Sequence, residues 1–251
     1  MSVRELGVVG GVCLEMLEVP AMPIKLYDLV GRDPTRPYSP HCWKSAFALA
    51  HKGLAFERVP TRFTDVPAVE SGVSTTVPVI CDGDRIVADS FNIALYLEDA
   101  YPDRPSLFKG DGGKTIARFL DRWSYLVLQP YVGKLAQMDI YNIQDRDNAA
   151  YYRQSRELRY GMTFEEVAAN REANLLAFRT ALEPIRNTLD YQPFIGGEGP
   201  LFADYIIAGY FQLLRVTSQF KFLEEGDPVG FWFERCLDLN GGMARQIAAA
   251  S

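Results

Sequence analysis

The residues best suited to chemistry lie in the stretch Pro-Tyr-Ser-Pro-His-Cys-Trp at positions 37–43. A strand-like segment at 24–30 precedes this stretch, and a helical pattern that ends at Gly53 follows it. The N-terminus of a helix stabilises a thiolate, so Ser39 and Cys42 would both face surroundings that favour sulfur chemistry. The reactive atom is therefore the Ser39 hydroxyl oxygen, the Cys42 thiol sulfur, or a sulfur that belongs to a ligand.

Ser39 has a structural explanation as well as a chemical one. Serine followed by proline commonly begins a helix, with the serine as N-cap and the proline at the first helical position. His41 is the nearest possible base, but at the second helical position it should point away from Ser39, and no acidic partner for it is evident. We therefore do not expect Ser39 to be an activated nucleophile.

Cys42 is the rival to Ser39 for sulfur chemistry. A helix N-terminus lowers the pKa of a thiol, and an exposed thiolate at this position would support a mixed-disulfide reaction. However, Cys42 corresponds to the second, buried cysteine of a Cys-x-x-Cys redox pair, and Ser39 replaces its partner. This pattern favours a structural Cys42 and leaves the thiol-disulfide enzyme as an alternative.

Two further positions could bind a ligand near the same helix. Pro78 lies between two valines at the start of a strand, where a trans proline is tolerated only at a sheet edge. Proteins with a thioredoxin-like fold place a cis proline there, so that Val77 presents its backbone N–H and C=O to the helix. Asp89 and Ser90 open the next helix, with Ser90 as the predicted N-cap. Together they would hold an α-amino acid group, with its ammonium on Asp89 and its carboxylate at the helix start.

The elements that must position these residues fall into two halves. Residues 24–105 read as strand–helix–strand, a variable stretch, and a strand–strand–helix unit whose hairpin turn is Asp-Gly-Asp at 82–84. From about residue 109 the patterns are helical, and Thr163 with Glu166 forms a capping box. A segment rich in proline and glycine joins the halves.

These patterns predict two domains. The first is an α/β thioredoxin-like domain with a mixed sheet at 23–105, and the second is an all-α helical bundle at 109–251. The prediction for residues 1–22 is a poorly ordered extension, because acidic residues interrupt their apolar patch and no signal peptide is indicated.

Composition excludes several classes of function. The chain has 251 residues, is 48% hydrophobic and carries a formal net charge of −6, which argues against nucleic acid or an anionic membrane as partner. Four scattered cysteines and two histidines, without a Cys-x-x-Cys pair, do not predict a metal site or a disulfide framework. A cytoplasmic location is the default expectation.

Several ordered motifs resemble those of cytosolic glutathione transferases, over roughly residues 24–240. They are Y-S-P-H-C-W-K-S-A-F-A-L at 38–49, V-P-V-I at 77–80, D-S-F-N-I-A-L-Y-L-E at 89–98, Y-P-D-R-P-S-L-F at 101–108 and F-I-G-G-E-G-P-L-F-A-D-Y at 194–205. The sequences of these motifs are most similar to those of the bacterial β-etherase branch, whose members cleave β-aryl ethers of lignin-derived compounds. A related fungal serine-type group is similar too.

The resemblance implies a homodimeric enzyme with glutathione as co-substrate and no metal. The glutathione-binding residues that it implies are Ser39, Thr76, Val77, Pro78, Asp89 and Ser90. The cysteinyl backbone of glutathione would pair with Val77, its γ-glutamyl end would meet Asp89 and Ser90, and its sulfur would face the Ser39 hydroxyl. That hydroxyl would act as the catalytic hydrogen-bond donor and lower the thiol pKa from about 8.5.

The resemblance also places a hydrophobic, aromatic electrophile between the two domains. The candidate walls of that acceptor site are Trp123, Tyr125, Tyr131 and Tyr141.

Two features depart from the family. Leu201 replaces a polar helix cap three residues before Asp204, which predicts a less stable or differently closed helix start, and the C-terminus is short compared with the etherases. A non-catalytic binding protein of the same fold remains an alternative function.

Overall fold

The computed structural model describes residues 23–250, and the predicted extension at 1–22 lies outside them. Four strands form one mixed sheet: β1 (Ile24–Leu29), β2 (Phe56–Thr61), β3 (Val79–Asp82) and β4 (Arg85–Ala88). Their spatial order is β2-β1-β3-β4, with β1 parallel to β2 and β3 antiparallel to both of its neighbours.

Two helices complete the first domain, and they place the predicted site residues at their N-termini. They are α1 (Pro40–His51) and α2 (Ser90–Ala100), and 3-10 turns at Val66–Gly72 lie in the variable stretch. Apolar residues of α1, including the fully buried Trp43 and Phe47, belong to the same core as Leu26 and Ile80 of the sheet. The predicted thioredoxin-like domain is confirmed.

The second domain is helical, as predicted. Its elements are α3 (Asp111–Trp123), a π-helical segment (Ser124–Leu128), α4 (Gln129–Leu135), α5 (Gln137–Asn142), α6 (Arg146–Tyr160), α7 (Phe164–Ala169), α8 (Arg171–Ala181), α9 (Glu183–Leu189), α10 (Phe202–Thr217) and α11 (Pro228–Gln246). The backbone of α11 leaves helical geometry at residues 239–242. None of the helices in the described part of the chain has the length and apolar character of a membrane span.

Helix α10 is the central element, because it is buried along nearly its whole length and packs against α1 of the first domain. The contact is close at Gly209, where an added Cβ would collide with the carbonyl oxygen of Pro40. Glycine at this position therefore lets α10 approach the first turn of α1, which carries Ser39.

Asp204, in the first turn of α10, stabilises the start of that helix. Its carboxylate accepts hydrogen bonds from the backbone N–H groups of Ile195 (2.7 Å), Gly196 (2.9 Å) and Leu201 (2.9 Å), and from the indole N–H of Trp232 (2.9 Å). The Leu201 side chain itself makes no cap hydrogen bond, and whether this helix start is less stable or differently closed than in the family stays a prediction. The predicted capping box at Thr163 and Glu166 is also present.

Candidate functional site

Ser39 is the N-cap of α1 and is only 5% exposed. Its Oγ accepts a hydrogen bond from the backbone N–H of Cys42 at 3.3 Å. The Ser39 hydroxyl lies close enough to the Cys42 thiol to act on its pKa, but its proton has no acceptor within hydrogen-bond geometry among the described residues. The backbone N–H of His41 in the same turn has no partner either. Both N–H and O–H donors are therefore available to an anionic atom at the start of α1.

The register of the sheet brings the Val77–Pro78 edge beside this helix start. Tyr27 near the end of β1 lies opposite Val79 at the start of β3, so the residues before β3 are adjacent to the loop that leads from β1 to Ser39. The Val77–Pro78 bond is cis, as the fold predicts. No described residue pairs with the backbone N–H or C=O of Val77, and both can bind an extended peptide.

Asp89, rather than the predicted Ser90, is the N-cap of α2. Its Oδ1 accepts from the backbone N–H groups of Phe91 and Asn92, each at 3.0 Å. The carboxylate can reach both groups because Asp89 adopts φ 75°, which makes Ser90 the first helical residue instead. The backbone N–H of Asp89 donates to Pro78 at 3.2 Å, which ties the start of α2 to the Val77–Pro78 edge.

This shift of one residue leaves three groups for a ligand at the start of α2. In the described part of the chain, Asp89 Oδ2, the backbone N–H of Ser90 and the Ser90 hydroxyl have no protein partner. An oxygen acceptor thus lies beside two donors, which suits the ammonium and carboxylate of one α-amino acid group. Thr76 is exposed just before Val77, and its N–H donates to Ser74 Oγ at 3.1 Å.

Cys42 is fully buried and faces the sheet, with its sulfur 3.8 Å from the carbonyl oxygen of Tyr27. Burial and the nearby carboxylate of Asp28 raise the pKa of its thiol well above the usual value. A buried, protonated thiol is neither accessible nor nucleophilic. These properties agree with a structural Cys42 and argue against the thiol-disulfide alternative.

A buried ion pair across the domain interface is a feature that the sequence did not reveal. Lys44 of α1 donates to Asp121 of α3 at 2.9 Å, and the Lys44 side chain has no exposed surface. Its ammonium also lies 5.3 Å from the centre of the Tyr210 ring. The available signal was a lysine in the apolar pattern of α1, but its partner is 77 residues away in sequence.

His41 lies next to this pair and packs edge-on against Tyr210, with ring centres 6.1 Å apart. Burial, together with the positive charge of Lys44, lowers the pKa of His41 to about 3. The imidazole is therefore neutral at physiological pH, and it adds no positive charge at the start of α1.

The four aromatic residues predicted for the acceptor site have different surroundings. Trp123 and Tyr131 are half-buried and pack against the core, whereas Tyr125 is exposed beneath the guanidinium of Arg122. Tyr141 packs edge-on against Phe164 at 5.6 Å, within the second domain. No ring contact joins any two of the four in the described chain, so their placement in one acceptor wall stays a prediction.

The fold and the site together define a two-domain protein whose thioredoxin-like half offers a peptide edge, an α-amino acid position and a hydroxyl donor. Residues 34–105 match the family model of the glutathione S-transferase N-terminal domain, and residues 115–236 match that of the C-terminal domain. The chain belongs to the cytosolic glutathione transferase superfamily.

Similar proteins of known sequence or structure agree with this assignment. Glutathione S-transferase Z1 of Arabidopsis thaliana is 36% identical over a segment that covers 26% of this chain and 34% of that protein, so the match spans about a third of the plant enzyme. The structure of glutathione transferase GSTFuA3 from Phanerochaete chrysosporium has a TM-score of 0.71 and 26% identity, covering 90% of this chain and 95% of that one.

A second fungal structure has the same fold. It is a glutathione S-transferase of Ceriporiopsis subvermispora in complex with glutathione, with a TM-score of 0.74 and 20% identity, covering 91% of this chain and 99% of that one.

Residues 23–250 contain no group of three or more His, Cys, Asp or Glu side chains arranged to hold a metal ion.

Proposed function

We propose that the protein is a glutathione transferase in which Ser39 activates the thiol of glutathione. The observation that supports this most directly is the Ser39 hydroxyl, whose oxygen caps α1 while its proton remains free for a ligand. A hydroxyl donor at a helix N-terminus stabilises a thiolate over a thiol, and each unit of lowered pKa corresponds to about 1.4 kcal/mol.

Glutathione would bind along the edge formed by Thr76, Val77 and Pro78. Its cysteinyl backbone would form two hydrogen bonds with the free N–H and C=O of Val77. Its γ-glutamyl ammonium would pair with Asp89 Oδ2, and the adjacent carboxylate would accept from the N–H and hydroxyl of Ser90. This orientation directs the sulfur toward Ser39, because the start of α1 lies beside Val77.

The thiolate would attack an electrophilic carbon of an aromatic acceptor between the domains. In a β-aryl ether, a carbon–sulfur bond forms as the carbon–oxygen bond breaks, and the phenolate leaves with the bonding electrons and takes a proton from water. No oxidant or reductant is consumed. We propose a β-ether as the substrate because the motif sequences at 38–43, 101–108 and 202–205 resemble those of the β-etherase branch.

Titration with glutathione, followed by thiolate absorbance near neutral pH, tests the first step. The same samples are then supplied with a β-aryl ether and with an aryl halide of similar size. Turnover of the ether supports the etherase, and turnover of the halide alone supports a transferase of another specificity. Thiolate formation without turnover of any acceptor would indicate a binding protein, and no binding of glutathione would reject the proposal.

We also propose a homodimer in which the hairpin of one chain packs against the helical domain of the other. Ile116 and Phe119 lie one turn apart on α3 and are 62% and 66% exposed, and Ile86 of the hairpin is 41% exposed. Exposed apolar side chains on one helix face favour association. Sedimentation at micromolar concentration should give a dimer, and Phe119→Asp should give a monomer. Leu158→Asp, on α6, serves as the exposed control.

A further inference from the structure

A cavity is lined in part by the loop that leads from β1 to Ser39. Its volume is about 370 Å³, and its lining residues are Gly31, Arg32, Asp33, Arg36, Asn142, Ile143 and Val216. We propose that this Arg32/Arg36 cavity binds a small organic carboxylate. If the proposed transferase function is correct, that carboxylate belongs to the acceptor substrate, which is then an acid.

The charges of the cavity are the first reason. Neither Arg32 nor Arg36 forms an ion pair with a carboxylate in residues 23–250, and Asp33 is the single acidic residue in the lining. Asp33 Oδ1 already accepts from the backbone N–H and the hydroxyl of Thr35, at 2.9 and 2.7 Å. Two guanidinium groups therefore face one carboxylate, and a surplus positive charge remains in a protein of net charge −6.

The two arginines are held in place by backbone carbonyl groups. One Nη of Arg32 donates to the carbonyl of Asn142, and one Nη of Arg36 donates to Val216 at 2.8 Å and to Ala248 at 3.4 Å. A guanidinium has five N–H donors, so most of the donors of Arg32 stay free. Donors that are fixed before binding lose little entropy when a carboxylate arrives.

The remaining wall indicates an organic ligand rather than a bare inorganic ion. Ile143 and Val216 add apolar residues to the lining beside the charged groups. Gly31 lets the loop approach α5, because a Cβ there would collide with the carbonyl oxygen of Ile143. The cavity thus combines charged and apolar residues in one lining, at a size typical of sites for small organic molecules.

The position of the cavity fits the acceptor rather than glutathione. It is bounded by the β1–α1 loop on one side and by α5 and α10 of the second domain on the other. Arg36 precedes Ser39 by three residues. The glutathione contacts proposed above involve Thr76 to Pro78 and Asp89 to Ser90, none of which lines this cavity.

Calorimetric titration of the full chain, without glutathione, tests the proposal with naphthalene-2-carboxylate and naphthalene-2-carboxamide. The two probes have nearly the same shape and differ in charge. We expect the carboxylate to bind at least tenfold more tightly. Arg32→Gln and Arg36→Gln should each weaken the carboxylate about tenfold and leave the carboxamide unchanged. Arg85→Gln, an exposed arginine of the hairpin, should change neither.

Arg32 is exposed, so Arg32→Gln keeps the test valid even if Arg36→Gln fails to fold. Equal affinity for the two probes, or an unchanged carboxylate affinity in Arg32→Gln, would overturn the proposal. So would displacement of the carboxylate by an equal concentration of inorganic phosphate. A loss of glutathione affinity in Arg32→Gln would assign the cavity to the tripeptide instead. If the carboxylate binds as expected but no acceptor is conjugated, the carboxylate site is supported and the transferase function is refuted.

Discussion

At the scale of single residues, the first turn of α1 gives Ser39 and Cys42 different chemical environments three residues apart. Ser39 Oγ accepts from the Cys42 N–H, and its own proton is available. The Cys42 thiol is enclosed, and its raised pKa keeps it protonated. A thiolate in this turn must therefore come from a ligand, which is the basis of the first prediction.

Ser39→Ala should leave glutathione affinity nearly intact, because the proposed contacts with Val77, Asp89 and Ser90 remain. The pKa of the bound thiol should rise by about one to two units, and the conjugation rate at neutral pH should fall about ten- to a hundredfold. Thiolate absorbance against pH, measured beside single-turnover rates, checks both effects.

Cys42→Ser is the control for Ser39→Ala, and it should change the rate little. Full activity in Ser39→Ala would mean that backbone donors alone stabilise the thiolate and that Ser39 only caps α1. Loss of turnover in Cys42→Ser, with turnover kept in Ser39→Ala, would replace the proposed mechanism by a mixed-disulfide reaction.

Asp89 combines a structural role with the proposed ligand contact, and asparagine separates the two. Asp89→Asn keeps a good N-cap for α2 but removes the negative charge that would face the γ-glutamyl ammonium. We expect glutathione affinity to fall at least tenfold, as a charge-assisted hydrogen bond contributes about 1.5–3 kcal/mol. Thermal stability should change little. Unaltered affinity in calorimetry would show that the ammonium binds elsewhere.

At the scale of elements, the contact between α1 and α10 positions the site. Gly209→Ala should lower the free energy of unfolding by about 1–3 kcal/mol, because the added Cβ collides with the Pro40 carbonyl and must push α1 away. Denaturant titration measures this loss. Since Ser39 directly precedes Pro40, the pKa of bound glutathione should also shift.

Gly230→Ala is the matched control in α11, where the new Cβ would be 3.7 Å from Leu223 in ordinary contact. Alanine has the higher helix propensity, so this variant should be neutral or slightly more stable. Equal stability of both glycine variants would show that α1 and α10 can move apart without a loss in the free energy of unfolding.

At the scale of the whole molecule, the Lys44–Asp121 pair couples the two domains. Lys44→Met should destabilise the protein by about 3–5 kcal/mol, because the buried Asp121 loses its partner. The double variant Lys44→Met/Asp121→Leu should recover much of this loss, since no uncompensated charge remains. A double-mutant cycle in denaturant checks the coupling, and additive losses would contradict it.

The sequence alone was sufficient for features that depend on neighbouring residues. Ser39-Pro40 predicts the start of α1, Thr163 with Glu166 predicts that of α7, and the Asp-Gly-Asp turn predicts the hairpin. Caps and turns are determined by interactions within a few residues, so short patterns carry them. The helix start at Asp89 was missed by one residue, because a positive φ at an aspartate has no clear sequence signal.

Only the tertiary structure decided which side chains meet across the domains. Burial of Cys42 follows from packing between sheet and helix, and the Lys44–Asp121 pair joins residues from separate domains. The Arg32/Arg36 cavity depends on carbonyl groups of α5, α10 and the C-terminal segment. Such contacts arise from the arrangement of whole elements, which local patterns do not specify, whereas the cap of α1 at Ser39 follows from two neighbouring residues.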